Sequence, residues 1–274
     1  MTGKAYVRSA AFHALAALAA AATMIPFFWM VSTSLKSKGA LMSIPIQWIP
    51  ERISFEGYEK VFTLFPFGRA ILNSAFVSVG STAITLLSAL MAAYVFAKID
   101  FRGREPLFAV FLATMMVPGQ VTIIPMFLVL KHLGLLDSFT GLLIVGIFNP
   151  FAVFMLRQFI LTIHNDFLDA AFMDGASQWN VFARIVVPLS VPIVTTLGII
   201  TFMGAWNDYF WPLVVLTDKA KMTLPLALSS LNGQYASEYN ALMAGSLISM
   251  APIIALYLGA QRYFKEGLQL GGVK

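Results

Sequence analysis

The sequence predicts an all-α integral membrane protein with six transmembrane helices, both termini in the cytoplasm, and one short cytoplasmic helix between the fourth and fifth spans. Three observations predict it. Of 274 residues, 59% are hydrophobic and 11% charged, against roughly 45–50% and about 25% in a soluble domain, so too few charges remain to cover a water-soluble surface. Stretches poor in Asp, Glu, Lys and Arg recur at the length of roughly 20 residues that a hydrocarbon layer about 30 Å thick requires of a helix. Runs such as Ala83 to Ala97 lack the alternation of a β-barrel strand. The spans are expected at about 10–34, 70–96, 107–130, 138–158, 188–214 and 239–261, in a single transmembrane domain over 1–274, with a cytoplasmic loop at about 159–187.

The first stretch, Ser9 to Leu35, follows Lys4 and Arg8 and contains Pro26, Phe27, Phe28 and Trp29. A basic start before an Ala/Leu-rich run also opens a secretory signal. This run is longer than such a signal needs and carries an aromatic cluster suited to a membrane interface, so we read it as a retained helix. The connection from Lys36 to Arg69 holds Pro45, Pro50, Pro66, Trp48, Phe55 and Tyr58, the composition of a folded flap on the outer surface or of a plain connector. Ala70 to Ala97 forms the second span, and the basic turn Lys98, Arg102, Arg104 marks an inside loop; ten of the 18 Lys and Arg fall in segments this topology puts inside.

In the third span, Pro118 and Pro125 flank Gln120 and loosen the backbone there, which suits a moving gate or a kinked helix. The loop Lys131 to Asp137 leads to the fourth span, and Asp218 to Glu238 separates the fifth from the sixth; neither carries a catalytic or metal-binding cluster. Asn73, Gln120 and Asn149 are polar residues inside spans that can line a path or bond helix to helix. Asp208 is the one acid within an expected span, near its outer end, with Trp206, Asn207 and Trp211 beside it. Flat aromatic faces with an amide and a carboxylate suit sugar binding, while an acid at the interface also serves helix packing.

The segment Arg157 to Pro188 is too polar to cross a membrane and too regular for a loose loop. Asp166 is placed to cap a helix over Phe167 to Asp174, Gly175 to end it, and Ser177 to cap a second helix that continues through Ile185 and Pro188 into the fifth span. Phe167, Leu168, Ala171 and Phe172 form an apolar stripe. Three placements compete for that stripe: the lipid headgroups, the protein's own spans, or a groove on a cytoplasmic partner.

The run Asp169-Ala170-Ala171-Phe172-Met173-Asp174-Gly175-Ala176, with Ile185 and Pro188 at fixed distance beyond the glycine, resembles the cytoplasmic signature loop of bacterial ATP-binding-cassette importer permeases. It departs from the usual pattern by Asp169 for glutamate and Val187 for leucine. The segments Ala93 to Lys98, Phe101 to Arg104, Met116 to Gln120 and Ala205 to Pro212 are similar to the carbohydrate-uptake branch of that family. The tail through Gly271, Gly272, Val273 and Lys274 resembles that of the short permease subunit of maltose-type importers, where the last residues reach between the ATPase subunits.

The resemblance implies a multi-pass subunit of the bacterial cytoplasmic membrane that imports a di- or oligosaccharide. Its implied partners are a homologous second permease, two ATPases that bind ATP and magnesium, and an extracytoplasmic sugar-binding protein. It implies no catalysis and no cofactor in this chain, which also lacks a G-x-x-x-x-G-K-[ST] phosphate loop. A polyol or glycerol phosphate suits the same machinery as substrate. An ion-driven secondary transporter is the rival class, and it fits less well because the spans lack clustered acids and bases. With no cysteine, and His13, His132 and His164 far apart, no metal or nucleic-acid site is expected.

Overall fold

The computed structural model describes residues 3–41, 43–234 and 238–270, with side-chain environments over 8–41, 43–232 and 238–259. Every regular element among them is helical. In chain order they are α1 (Gly3–Ser34), α2 (Lys38–Leu41), α3 (Glu56–Leu64), α4 (Phe67–Lys98), α5 (Arg104–Ala113), α6 (Ile123–His132), α7 (Phe139–Val145) and α8 (Pro150–Leu161). There follow α9 (Asn165–Met173), α10 (Gln178–Val181), α11 (Val187–Leu189), α12 (Val191–Trp206), α13 (Phe210–Val215), α14 (Leu224–Gln234) and α15 (Tyr239–Leu270). Three helices are by themselves long and apolar enough to cross a membrane: Arg8–Ser34, Phe67–Lys98 and Tyr239–Gly259.

The other three expected spans are bent pairs. Arg104–Met116 and Gly119–His132 meet at 92°, Phe139–Val145 and Pro150–Leu161 at 49°, and Gln178–Leu189 and Val191–Trp206 at 75°. With each pair counted as one span the total is six. Proline explains each position, because it cannot donate the bond that continues a helix and it disfavours helical geometry in the residue before it. Pro118 stands at the first break, and Pro150 opens α8 behind the N-cap of Asn149, whose Oδ1 accepts from the Ala152 amide at 3.0 Å. Pro188 and Pro192 lie four residues apart around the third break, so the Pro188 carbonyl loses its helical donor.

The chain forms two compact units. One comprises residues 1–68 and 227–252. In it the expected flap is folded and pinned to the end of α1: Ser32 Oγ donates to the Trp48 carbonyl at 2.5 Å, Lys36 donates to the Gln47 carbonyl, and Trp29 meets Trp48 edge-on at 5.1 Å. Glu238 accepts from Lys38 and, at 2.7 Å, from Lys60, which also pairs with Glu56 at 2.7 Å. Gly57 sits against Asn240 so closely that a β-carbon would lie 2.7 Å from its carbonyl oxygen. Along α1, Phe12, Leu15 and Leu18 are exposed, as an apolar face in lipid requires.

The second unit comprises residues 69–226 and 253–274. Its main core joins Ala89, Ala93 and Tyr94 of α4, Leu156 and Ile160 of α8, Leu168 of α9 and Val186. Arg157, which the sequence places at the mouth of the polar loop, is instead buried in α8: its guanidinium lies 4.1 Å over the Phe108 ring and donates to Glu105 at 2.7 Å and to the Phe96 carbonyl at 3.1 Å.

Asp137 joins two loops that the sequence treats as separate. It occupies positive φ (52°). Its carboxylate accepts from the amides of Thr217 and Asp218 at 2.9 and 3.0 Å and from Lys221 Nζ at 2.7 Å. The Lys221 ammonium first, and then these amides, hold the carboxyl well below the usual aspartate range. A lowered pKa contributes stability that is complete above the unfolded value, about 4, and is lost as pH falls through the folded one. Asp137→Asn keeps the amide acceptor and tolerates the backbone but removes the charge. It is expected to lower the melting temperature at pH 7, with the gap to the parent narrowing in acid, as followed by thermal unfolding in detergent across pH.

Candidate functional site

The polar loop folds into the helix expected of it, with its start two residues earlier and its end one residue earlier. α9 begins at Asn165, with His164 at the N-cap making no side-chain capping bond; Asp166 therefore lies in the first turn, where its charge favours the helix dipole, and is not the cap. The start is held from elsewhere. Lys98 Nζ, at the end of α4, donates to the Ile163 carbonyl at 2.6 Å and to Asn165 Oδ1 at 2.7 Å. At the other end Gly175 takes φ +80°, the Gly175 amide donates to the Phe172 carbonyl and the Ala176 amide to that of Ala171. This is a Schellman closure, which glycine accommodates without steric cost. Ser177 caps α10 as expected, accepting from the Asn180 amide at 3.3 Å.

The predicted apolar stripe divides between two faces. Leu168 is 4% exposed in the main core and Ala171 packs against it, so the protein's own spans take this side. Phe167 is exposed, and Met173 is 88% exposed, with Asp166, Asp169, Ala170 and Asp174 exposed as well. The free face thus combines acids with protruding apolar side chains and one small residue.

The run beyond α10 is not the straight continuation into the fifth span that the sequence suggests. Ile185 lies within a π-helical turn, Phe182–Val186. Pro188 lies in α11, and the chain then turns through 75° at Ser190 before α12. Tyr94 of α4 donates to Gln178 Oε1 of α10 at 2.6 Å, and its ring packs 5.4 Å from that of Phe182. The start of α9 and the start of α10 are therefore both tied to α4. Tyr94 and Lys98 are four residues apart on one helical face, a spacing visible in the sequence, although nothing there names their partners.

Within the same unit a cavity of about 310 Å³ is bounded by Ser81 and Thr85 of α4, Asn149, Thr201, Asp208 and Trp211, among others. Thr85 donates to the Gly146 carbonyl and Ser88 to that of Ile147, each at 2.7 Å. These bonds satisfy two carbonyls at the α7–α8 break that have no helical donor. Of the predicted path residues, Asn149 and Asp208 line this cavity. Asp208 also caps α13, its Oδ1 accepting from the amides of Phe210 and Trp211 at 2.9 and 3.2 Å.

The remaining path candidates lie elsewhere. Trp206 is 2% exposed and stacks on Phe202, and the aromatic residues lining the cavity are Phe151 and Trp211. Asn207 donates to the Met203 carbonyl. Gln120 is exposed in the 3₁₀ turn Gly119–Thr122. Asn73 donates to the carbonyls of Ala220 and Met222 at 2.9 and 3.0 Å. Gly271, Gly272, Val273 and Lys274 lie outside the described residues. Among the described residues no cluster of acids and histidines is able to hold a metal.

The family model described as "binding-protein-dependent transport system inner membrane component" matches residues 84–269, which include α9, α10 and most of the cavity wall. An arabinooligosaccharide transport system permease of Bacillus subtilis is 36% identical over 254 residues, 92% of this chain and 90% of that protein. A diacetylchitobiose uptake system permease of Streptomyces coelicolor is 32% identical over 94% of this chain and 87% of its own. Among solved structures, a chain of a bacterial ABC transporter involved in import of the acidic polysaccharide alginate superposes with a TM-score of 0.87 at 26% identity, covering 96% of this chain and 99% of that one.

The carbonyl bonds of α4 carry a direct prediction. Thr85→Val keeps the shape of the side chain but leaves the Gly146 carbonyl without its donor, and should cost about 1–3 kcal/mol. A lowered melting temperature of the detergent-solubilised chain, with the helical circular dichroism of the parent at low temperature, is the expected result.

Proposed function

Because the chain belongs to the family of binding-protein-dependent transport inner membrane components, we propose that it is the short permease subunit of an ATP-driven importer that carries a di- or oligosaccharide across the bacterial cytoplasmic membrane. In this reading it pairs with a homologous second permease. An extracytoplasmic binding protein delivers the sugar, and two ATPase subunits, which hold the ATP and magnesium, dock on the cytoplasmic side where both termini lie. The chain carries no catalysis of its own. The relatives named for arabino-oligosaccharides and diacetylchitobiose support an oligosaccharide as substrate.

The observation that carries the proposal is the two-sided α9. One side is anchored in the chain's own core through Leu168, while the other presents Met173, Phe167 and Ala170 with Asp166, Asp169 and Asp174 around them. A short amphipathic helix fixed on one side and free on the other is suited to sit in a groove of a partner. Ala170, on the free side, permits close approach, and Gly175 allows the sharp exit toward Ala176 and α10.

The cavity supplies the other half of the reading. Hydroxyls of Ser81 and Thr201, the Asn149 carboxamide and the Trp211 ring offer the mixture of hydrogen-bonding groups and a flat apolar face that sugars require. Alternating access then follows from two states of the permease pair, biased by whether the ATPases are closed on ATP.

Gly175→Val tests the reading, since a β-branched residue at φ +80° is strained by roughly 1–3 kcal/mol and has to displace the exit from α9. Membrane insertion should be retained. Co-purification with the ATPase subunits, and ATP-dependent uptake of arabino-oligosaccharide by vesicles containing the whole complex, should both fall about tenfold or more. Parental docking and uptake in this variant, or uptake by the parent driven by an ion gradient without ATP, would contradict the proposal.

A further inference from the structure

A displacement of α9 by closing ATPases has two routes into the membrane. One follows the chain through α10, the π-helical turn Phe182–Val186 and α11 to α12. That route is soft: a π turn is a local defect in helical pairing, and beyond it the chain turns through 75° at Ser190, whose buried hydroxyl has no hydrogen-bond partner. Pro188 and Pro192 remove two backbone donors from the same corner.

The other route runs through side chains into α4. Lys98 grips the start of α9 through Asn165 Oδ1 and the preceding Ile163 carbonyl, and Tyr94 grips Gln178 just beyond its end. These three bonds are 2.6–2.7 Å long and lie beside the core that α4, α9 and Val186 share. α4 itself is unbroken from Phe67 to Lys98 with no internal proline. The 17 steps from Ser81 to Lys98 amount to about 25 Å of helix at the α-helical rise. The same rigid element therefore carries Tyr94 and Lys98 at one end, and Ser81 and Thr85 on the cavity wall further along.

We propose that Tyr94 and Lys98 are positioning residues that transmit the stroke of α9 to α4, so that the cavity wall at Ser81 and Thr85 moves with the coupling helix while the corner at Ser190 absorbs the mismatch with α12. This rests on the reading of α9 as the ATPase-docking helix. The two side chains act as a hinge pin at each end of α9: with both in place, α9 and the cytoplasmic end of α4 move as one body, and with both removed, α9 shifts without carrying α4 along.

The chain has no cysteine, so a single reporter thiol is unambiguous. Ser81→Cys is placed on the cavity wall of the full-length permease, assembled in vesicles with its partner permease and ATPases freed of their own cysteines. Its labelling by a membrane-impermeant maleimide is compared without nucleotide and after trapping with Mg-ATP and vanadate. In the otherwise parental chain the labelling rate should change about tenfold between the two conditions, and in Tyr94→Phe/Lys98→Met the change should shrink below about twofold. ATP hydrolysis and subunit assembly should persist, because neither residue lies on the free face of α9. Lys98→Arg in place of Lys98→Met should restore part of the change. Tyr94→Phe alone, which removes one oxygen and keeps the packed ring, should lose at least half of it, and this variant carries the test if the double variant does not assemble. A nucleotide-dependent change as large in these variants as in the parent would overturn the role of the two residues and leave the docking of α9 standing. No change in the parent itself would overturn the docking reading and the proposal with it.

Discussion

In hydrocarbon no water replaces a lost backbone hydrogen bond, so each break in a spanning helix needs a polar group brought from elsewhere in the protein. In this chain much of that supply comes from α4. Along its length Asn73 holds the carbonyls of Ala220 and Met222, Ser74 accepts from the Leu224 amide, Thr85 and Ser88 hold those of Gly146 and Ile147, and Lys98 holds that of Ile163. This 32-residue helix, free of internal proline, thus serves as the rail on which the irregular backbone around it is hung. Weakening it affects the loop after α13, the α7–α8 break and the start of α9 together.

The same arrangement joins the two functional regions. In the proposed mechanism a cavity wall that changes shape and a coupling helix that receives a push share a single stiff element, while the softer backbone lies on the side of α12. A break lined with proline is tolerable in a membrane when its polar groups are satisfied, and at the Ser190 corner one hydroxyl is not. A rearrangement of this corner therefore gives up no hydroxyl bond.

Much of this fold is legible in the sequence because apolar run length reports the solvent directly. The unbroken spans and the polar loop between the fourth and fifth follow from charge spacing alone. Gly175 and Ser177 are legible for a local reason: a left-handed exit and an N-cap depend on residues within a few positions. The bends were less visible. Composition registers that a stretch lies in lipid but not that it changes direction, so Phe139 to Leu161 looks continuous although Pro150 stands inside it. The sequence points to Pro118 and Pro125 around the third span; the break falls at Pro118, while Pro125 is tolerated in the first turn of α6. The tertiary partners of Lys98, Tyr94, Asp137 and Arg157 lie 52 to 84 residues away in sequence, beyond the range of spacing rules. Trp206 misled for the same reason, since helical position alone does not distinguish a ring on the cavity wall from one stacked in the protein.

The account depends on the free face of α9 being an interface with an ATPase rather than a surface lying on lipid headgroups. A photo-crosslinking amino acid at Met173, the most exposed large apolar side chain of that helix, tests this directly in membranes that hold the whole transporter. The account predicts that illumination joins this chain to an ATPase subunit, whereas the same probe at Leu168, on the buried face, joins it to none. Crosslinks from Met173 to lipid alone, with the ATPases assembled and present, would contradict it.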